Sequence, residues 1–275
     1  MKNKEQDKIK KKQGQLQKKK KEQQIISADA SLMPEEKIII NLHKWSESFL
    51  KTSPDWNNVP SIFKKIATEK VKLPRKFKKL ELSVGEAIKQ RVSRRDYKGK
   101  VTLKEVAQLL FYANGFKEVV DGDQYGLLYR SNAPSAGSRH PIELYVILRE
   151  VVGIKDGVYH YDVENHQLEI INQDKVSDKT VLALLNNQQP LLGANMILVM
   201  TAIYKRTAWK YGSRAYRFIH LDAGHIGQNI YLTSEALGLG VTGVGGWQEV
   251  ILKKLLRIDG VKELPVYILT IGGRF

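Results

Sequence analysis

The stretch Arg91-Val-Ser93-Arg94-Arg95-Asp-Tyr97 places three guanidinium groups and a hydroxyl within five positions. Guanidinium groups present paired donors to phosphate oxygens and a serine hydroxyl adds a third direction, so this is chemistry suited to a phosphate. A solvated basic loop in a basic stretch is the plain alternative. Ala133-Pro134-Ser135-Ala136-Gly137-Ser138-Arg139-His140-Pro141 runs straight into an apolar segment. Its small residues leave room for something large and planar, and its Ser and Arg side chains can donate to carbonyl oxygens, although an ordinary loop between two prolines has the same composition. Further on, Gly243, Gly245 and Gly246 leave a backbone bare of side chains, which suits amides pressed against a flat ligand and equally suits a tight turn.

Other chemistries fall away. Gly238-Leu-Gly240-Val-Thr-Gly243 has the spacing of a dinucleotide fingerprint but follows a predicted helix instead of opening one, so no helix N-terminus would face a pyrophosphate. The chain has no cysteine, which excludes disulfides, thiolate catalysis, a Cys-liganded zinc and an iron–sulfur cluster, and permits a cytoplasmic address. His220 and His225 are five apart on one predicted helix, not the four that pairs two histidines on a zinc ion. Neither a G-x-S-x-G elbow nor a P-loop occurs.

The elements that must position these residues follow from hydrophobic period and capping signals. Ile38, Leu42, Trp45 and Phe49 recur at helical spacing behind Pro34 and predict an amphipathic helix. Pro54, Pro60 and Pro74 punctuate a connecting segment with a short helix expected near Ile62 to Thr68. Ser83 with Glu86, and Thr102 with Glu105, are capping boxes that should each open a helix, the second stopping near Asn114-Gly115 in a left-handed cap. Residues 141–148, 157–161, 167–171, 195–203 and 264–271 read as strands, the second and third as a hairpin. Ser213 to Leu237 reads as one long helix. The pattern is an α+β domain with helices around a central sheet, expected to be mixed. Residues 1–24 read as a charged, solvated tail, 25–81 as a helical extension, and 82–275 as the main domain.

The net charge of +16 resembles a nucleic-acid signature until it is divided along the chain. Residues 1–24 carry +7, 25–50 carry −2, 51–100 carry +10 and 101–275 only +1. A balanced main body with its excess charge in the tail and the segment before it argues against a nucleic-acid-binding enzyme. The longest apolar run, Ala194 to Tyr204, is far short of the roughly 20 residues that span a bilayer, and the lysine-rich start has no apolar stretch behind it to make a secretory signal.

Taken in order, these pieces resemble the nitroreductase-like flavoproteins, in particular the SagB-type branch that includes the azoline dehydrogenases of thiazole- and oxazole-forming peptide pathways. The resemblance rests on Arg91–Tyr97, on Ala133–Val146, on Lys210-Tyr-Gly-Ser-Arg-Ala-Tyr-Arg-Phe218, on Leu221-Asp-Ala-Gly-His-Ile-Gly-Gln-Asn-Ile-Tyr-Leu232, on Glu235–Gly240 and on Gly243-Val-Gly-Gly-Trp247. It runs from about residue 82 to the C-terminus. It implies a domain-interlocked homodimer with FMN at the subunit interface, the phosphate held by Arg91, Ser93 and Arg95 with a further contact from Arg274. It also implies that Pro134, Ser135, Ala136 and Gly137 approach the flavin from the partner subunit, and that the Gly245 and Gly246 amides lie near its N5 edge; classical nitroreductases have an acidic residue where Gly245 stands. Lys210 and Tyr211 resemble the catalytic Lys-Tyr pair of azoline dehydrogenases, in which a nearby ammonium would lower the phenol's pKa and make it a base. The implied activity is oxidation of azolines to azoles in a ribosomal peptide, with a cyclodehydratase as partner. The alternative is an NAD(P)H-dependent reductase of nitro compounds, quinones or enones on a small-molecule substrate, and a third reading is a basic scaffold that binds flavin or peptide without catalysis.

Overall fold

In the computed structural model, which describes residues 33–47, 54–123 and 126–274, the long apolar runs become the middle of a seven-stranded sheet. The chain divides into two units, Met1–Ser48 and Phe49–Phe275. In the first, α1 (Pro34–Trp45) carries the predicted amphipathic pattern, and the Glu36 carboxylate accepts the Met33 amide at 2.8 Å. The predicted tail, residues 1–24, and Phe49 lie outside the described residues.

The second unit holds the sheet. Its strands are β1 (Lys70–Lys72), β4 (Ile142–Leu148), β5 (Gly157–Asp162), β6 (Gln167–Asn172), β7 (Met196–Ile203), β8 (Leu239–Val244) and β9 (Glu263–Gly273), in the order β1-β6-β5-β4-β7-β9-β8. A separate hairpin pairs β2 (Phe116–Asp121) with β3 (Leu127–Ser131). The α+β class holds, but the sheet expected to be mixed is antiparallel at all six pairings. Continuous apolar runs show only that a strand is buried on both faces; direction is set by the connections, which the runs do not encode. Both faces are indeed covered. Leu144, Val146, Leu198 and Leu269 face one core with α3 (Leu103–Asn114) and α6 (Ala215–Leu237). Tyr145, Ile147, Val199 and Ile268 face the other with α4 (Asp178–Leu184) and α7 (Glu249–Leu256).

Both capping boxes form. Ser83 opens α2 (Val84–Gln90) and Thr102 opens α3, each hydroxyl accepting the third amide while the glutamate accepts the cap amide. Gly115 is not in the expected left-handed conformation, with φ −58° and ψ 137°. Its role is room: a Cβ there would strike the Phe111 carbonyl and ring as the chain leaves α3 for β2. Gly238, at φ 74°, does supply the left-handed cap of α6.

The short helix expected near Ile62–Thr68 does not form. That segment is drawn out against the sheet by tertiary bonds: Lys64 Nζ donates to Glu263, Lys65 Nζ to Asp162, and the Ile66 amide to Glu169. Lys70–Lys72 then adds the edge strand β1 beside β6, so this part of the extension is strand and irregular chain and not helix.

Candidate functional site

The site residues are distributed around α6 and the two elements that precede it. α5 (Tyr204–Tyr211) follows β7 directly, and Gly212, at φ 57°, breaks the chain into the short turn that begins α6. Lys210 and Tyr211 therefore end a helix.

One group of residues lies at the C-terminal half of α6. The loop after α2 is pinned along β8, since the Arg94 amide donates to the Val241 carbonyl and the Thr242 hydroxyl donates to the Arg94 carbonyl, both at 2.9 Å. This holds Ser93 Oγ 3.1 Å from the Tyr231 hydroxyl, and that hydroxyl accepts the Gly243 amide at 2.7 Å. The Arg91 guanidinium stacks 5.3 Å from the Tyr231 ring centre. Arg94 leans on Glu235 at 3.7 Å, with its buried Nε unpartnered. Arg274 is engaged behind them, donating to Glu235 at 2.5 Å and to the Leu239 carbonyl at 2.9 Å. Neither Arg91 nor Arg95 has a carboxylate partner among the described residues, and Arg95 is exposed. The Arg91 guanidinium and the Ser93 hydroxyl, both on Tyr231, with Arg95 exposed two residues further on, are donors that fit a phosphate. Gly245 and Gly246 follow β8, both exposed, with open space where a Cβ on Gly245 would stand.

The second group lies at the N-terminal half of α6. Asp222, only 4% exposed, accepts the Ser135 hydroxyl at 2.6 Å and the Ala136 amide at 3.3 Å, and Ser135 Oγ in turn accepts the His140 amide at 2.8 Å. This holds the loop 134–137 on α6. Burial pushes the Asp222 carboxyl up, against the stabilising bonds from Ser135 and Ala136. Gly137, at φ 58°, lies so close under the Tyr211 hydroxyl that a Cβ there would collide with it. Tyr211 also packs edge-on against Phe218, and no protein hydrogen bond involves its hydroxyl among the described residues. Arg139 donates its Nε to the Gly137 carbonyl at 2.9 Å and stacks 5.5 Å from the Trp209 ring centre. Lys210 Nζ lies 5.6 Å from the ring centre of Trp56 and 5.5 Å from that of Tyr211.

The expected activation of the phenol by its neighbour is not what this geometry produces. Burial pushes the Tyr211 phenol up; the cation that opposes this is Arg139, and Asp222 adds to the rise. Burial, reinforced by the Arg139 charge, holds the Lys210 ammonium below its ordinary range. Both shifts run against the charged forms, the ammonium held down and the phenol pushed up.

Asp222 and Tyr231, which centre the two groups, are nine residues apart on α6, about 13 Å along its axis and half a turn around it. The expected site residues are thus gathered in two places on opposite faces of one helix. Asp222, Tyr231, Glu235, Trp56 and Trp209 were not among the expected site residues. Asp222, Tyr231 and Glu235 lie within the quoted motifs, whereas Trp56, in the proline-punctuated extension, had no local signal at all.

A family model described as the nitroreductase family matches residues 88–273. The chain is 35% identical over 195 residues to a Methanocaldococcus jannaschii protein named as a candidate nitroreductase, covering 70% of this chain and 92% of that one. It is 32% identical over 166 residues to the trifolitoxin-processing protein TfxB of Rhizobium leguminosarum bv. trifolii, covering 58% of this chain and 44% of that one. Among solved structures, a candidate nitroreductase from Anabaena variabilis superposes with a TM-score of 0.68 at 23% identity, over 85% of this chain and 46% of that one. The Escherichia coli microcin synthetase McbBCD complex with truncated pro-MccB17 bound matches with a TM-score of 0.54 at 19% identity, over 90% of this chain and 96% of that one.

Proposed function

The chain belongs to the nitroreductase family of oxidoreductases, and from that premise we propose that it is of the SagB type, an FMN-dependent dehydrogenase oxidising azolines to azoles in a ribosomally made peptide. The observation that carries the reading is the Lys210–Tyr211 pair at the end of α5, with the Tyr211 hydroxyl over Gly137 and unbonded among the described residues. Arg91, Ser93 and Arg95 would hold the phosphate of FMN, with Arg274 behind them on Glu235, and the Gly245 and Gly246 backbone would line its ring system. FMN would supply a hydride acceptor there. Aromatising the ring also releases a proton, and Lys210 and Tyr211, side by side at the end of α5, are the groups placed to take it.

The two half-sites on opposite faces of α6 support a homodimer in which the partner subunit supplies the loop Pro134, Ser135, Ala136 and Gly137 to the flavin held by Arg91, Ser93 and Arg95. The trifolitoxin-processing relative supports a peptide substrate. The ring-closing enzyme that must act first is a cyclodehydratase, the expected partner.

The test is to load the purified chain with FMN and follow an azoline-containing peptide by mass spectrometry for loss of two hydrogens. Lys210→Ala and Tyr211→Phe should abolish that loss while FMN stays bound. If wild-type protein leaves azolines untouched but reduces nitro compounds or quinones with NAD(P)H, and both variants do so equally, the chain is a reductase of the same fold.

A further inference from the structure

The extension lies outside the residues the family model matches, yet part of it is built onto the catalytic helix α5. The Trp209 indole donates to the Asp55 carbonyl at 3.1 Å, Trp56 packs edge-on against Trp209 at 5.1 Å, and Arg206 Nε donates to the Ser61 carbonyl at 2.9 Å. Where Trp56 and Val59 meet the β2–β3 hairpin they enclose a groove of about 440 Å³ with Leu127, Tyr129 and Arg139. Trp56, Val59 and Leu127 are 39, 42 and 57% exposed, an apolar surface with no protein covering it among the described residues. Arg139 is the opposite case: only 2% exposed, charged, and paired with no carboxylate among the described residues. Asp123 lines the rim, exposed, and forms no ion pair with it. A guanidinium buried without its counter-charge is costly unless a ligand supplies one.

We infer that this groove is a substrate subsite that takes a group with an apolar body ending in a carboxylate, the carboxylate meeting Arg139 and the body lying between Trp56, Val59 and Leu127. A guanidinium matches a carboxylate in the plane with two parallel donors. In the proposed dehydrogenase the subsite holds a substrate carboxylate beside Lys210 and Tyr211; its role in turnover rests on that reading, but its ligand chemistry does not. Trp56 is a positioning residue through its contacts with Trp209 and Lys210.

The test is calorimetric titration of the FMN-loaded full chain with 3-phenylpropionate and with its uncharged amide. The acid should bind at least about tenfold more tightly than the amide. Leu127→Glu, at an exposed position, removes an apolar contact from both ligands and adds a like charge against the acid, so it should weaken the acid more than the amide. Arg139→Gln should erase the difference. If Arg139→Gln does not fold, the first two comparisons still decide. Equal binding of acid and amide to the wild-type chain, no binding of either, or no effect of Leu127→Glu overturns the inference. Tight acid binding without azoline oxidation leaves the subsite standing and overturns the dehydrogenase reading.

Discussion

Glu143→Ala should be among the most destabilising single changes in the chain, although Glu143 touches none of the proposed reacting groups. Its carboxylate lies 4% exposed on β4, 2.6 Å from Arg206 and 2.7 Å from His160, which in turn lies 2.9 Å from Glu169. Arg206, 3% exposed, also donates to the carbonyls of Ser61 and His140, so it ties α5 to the extension and to the loop before β4. Removing one partner of such a pair leaves a buried charge uncompensated, at a cost of about 3–5 kcal/mol. Against a total stability of about 5–15 kcal/mol, that is a large fraction. At roughly 2–4 °C per kcal/mol for a domain of this size, Tm should fall by about 10 °C. Glu143→Gln keeps an acceptor for Arg206 and should cost only about 1–3 kcal/mol.

The pH dependence carries the same signature. Burial disfavours the charged His160, but hydrogen bonds to Glu143 and Glu169 outweigh it and hold its pKa above the ordinary value. Its contribution is therefore full below about pH 6.5 and fades as pH rises through the folded-state value. Burial likewise opposes the charge on Glu143, yet Arg206 and His160 hold its pKa below 4.5, so its contribution is full above that pH and lost in acid. The cost of Glu143→Ala, measured by urea unfolding, should then be greater near about pH 5.5 than near about pH 9. A cost below about 1 kcal/mol, or one indifferent to pH, would refute the assignment of these charges.

Three further outcomes follow from the geometry. Arg91→Ala removes a guanidinium group that has no carboxylate partner among the described residues and should weaken FMN binding about ten- to hundredfold in a fluorescence titration, with the melting curve of the apo chain unchanged. Gly137→Ala forces a Cβ onto a residue at φ 58° and into the Tyr211 hydroxyl; the local strain alone is about 1–2 kcal/mol, and azoline oxidation should fall more steeply than stability. Burial pushes Asp162 up, but bonds from Lys65, Asn165 and Gln167 outweigh it and hold its pKa at about 2. Its stabilisation is thus full above its unfolded value of 3.8 and lost as pH falls toward about 2, and Asp162→Asn should flatten the stability profile in that window.

What was legible in the sequence was local. Ser83 with Glu86, and Thr102 with Glu105, satisfy amides within one turn of their own chain, and both helices open where the spacing predicts. The five main strands were readable because each is a β-branched or aromatic run between turn residues, and the motifs around Arg91, Ser135 and Lys210 pointed to the family. Ile62–Thr68 was misread as helix because its bonds go to Glu263, Asp162 and Glu169, about 100 to 200 residues away, which no local window contains. β2 and β3 escaped notice for the same kind of reason, since their residues are mostly half-buried or exposed and carry no continuous apolar run.

By itself, then, the sequence determined the helices and strands whose signals close within a turn or a run, the family, and the residue types available for phosphate and proton chemistry. Only the tertiary structure decided that the sheet is antiparallel, that Trp56 of the extension meets Lys210, and that Arg139 is buried without a carboxylate partner among the described residues. It also decided that the Ser135–Tyr211 and Ser93–Tyr231 groups stand on opposite faces of α6. A pKa depends on what is packed around a group and not on what precedes it in the chain. That burial raises the Tyr211 phenol and lowers the Lys210 ammonium therefore had to wait for the fold.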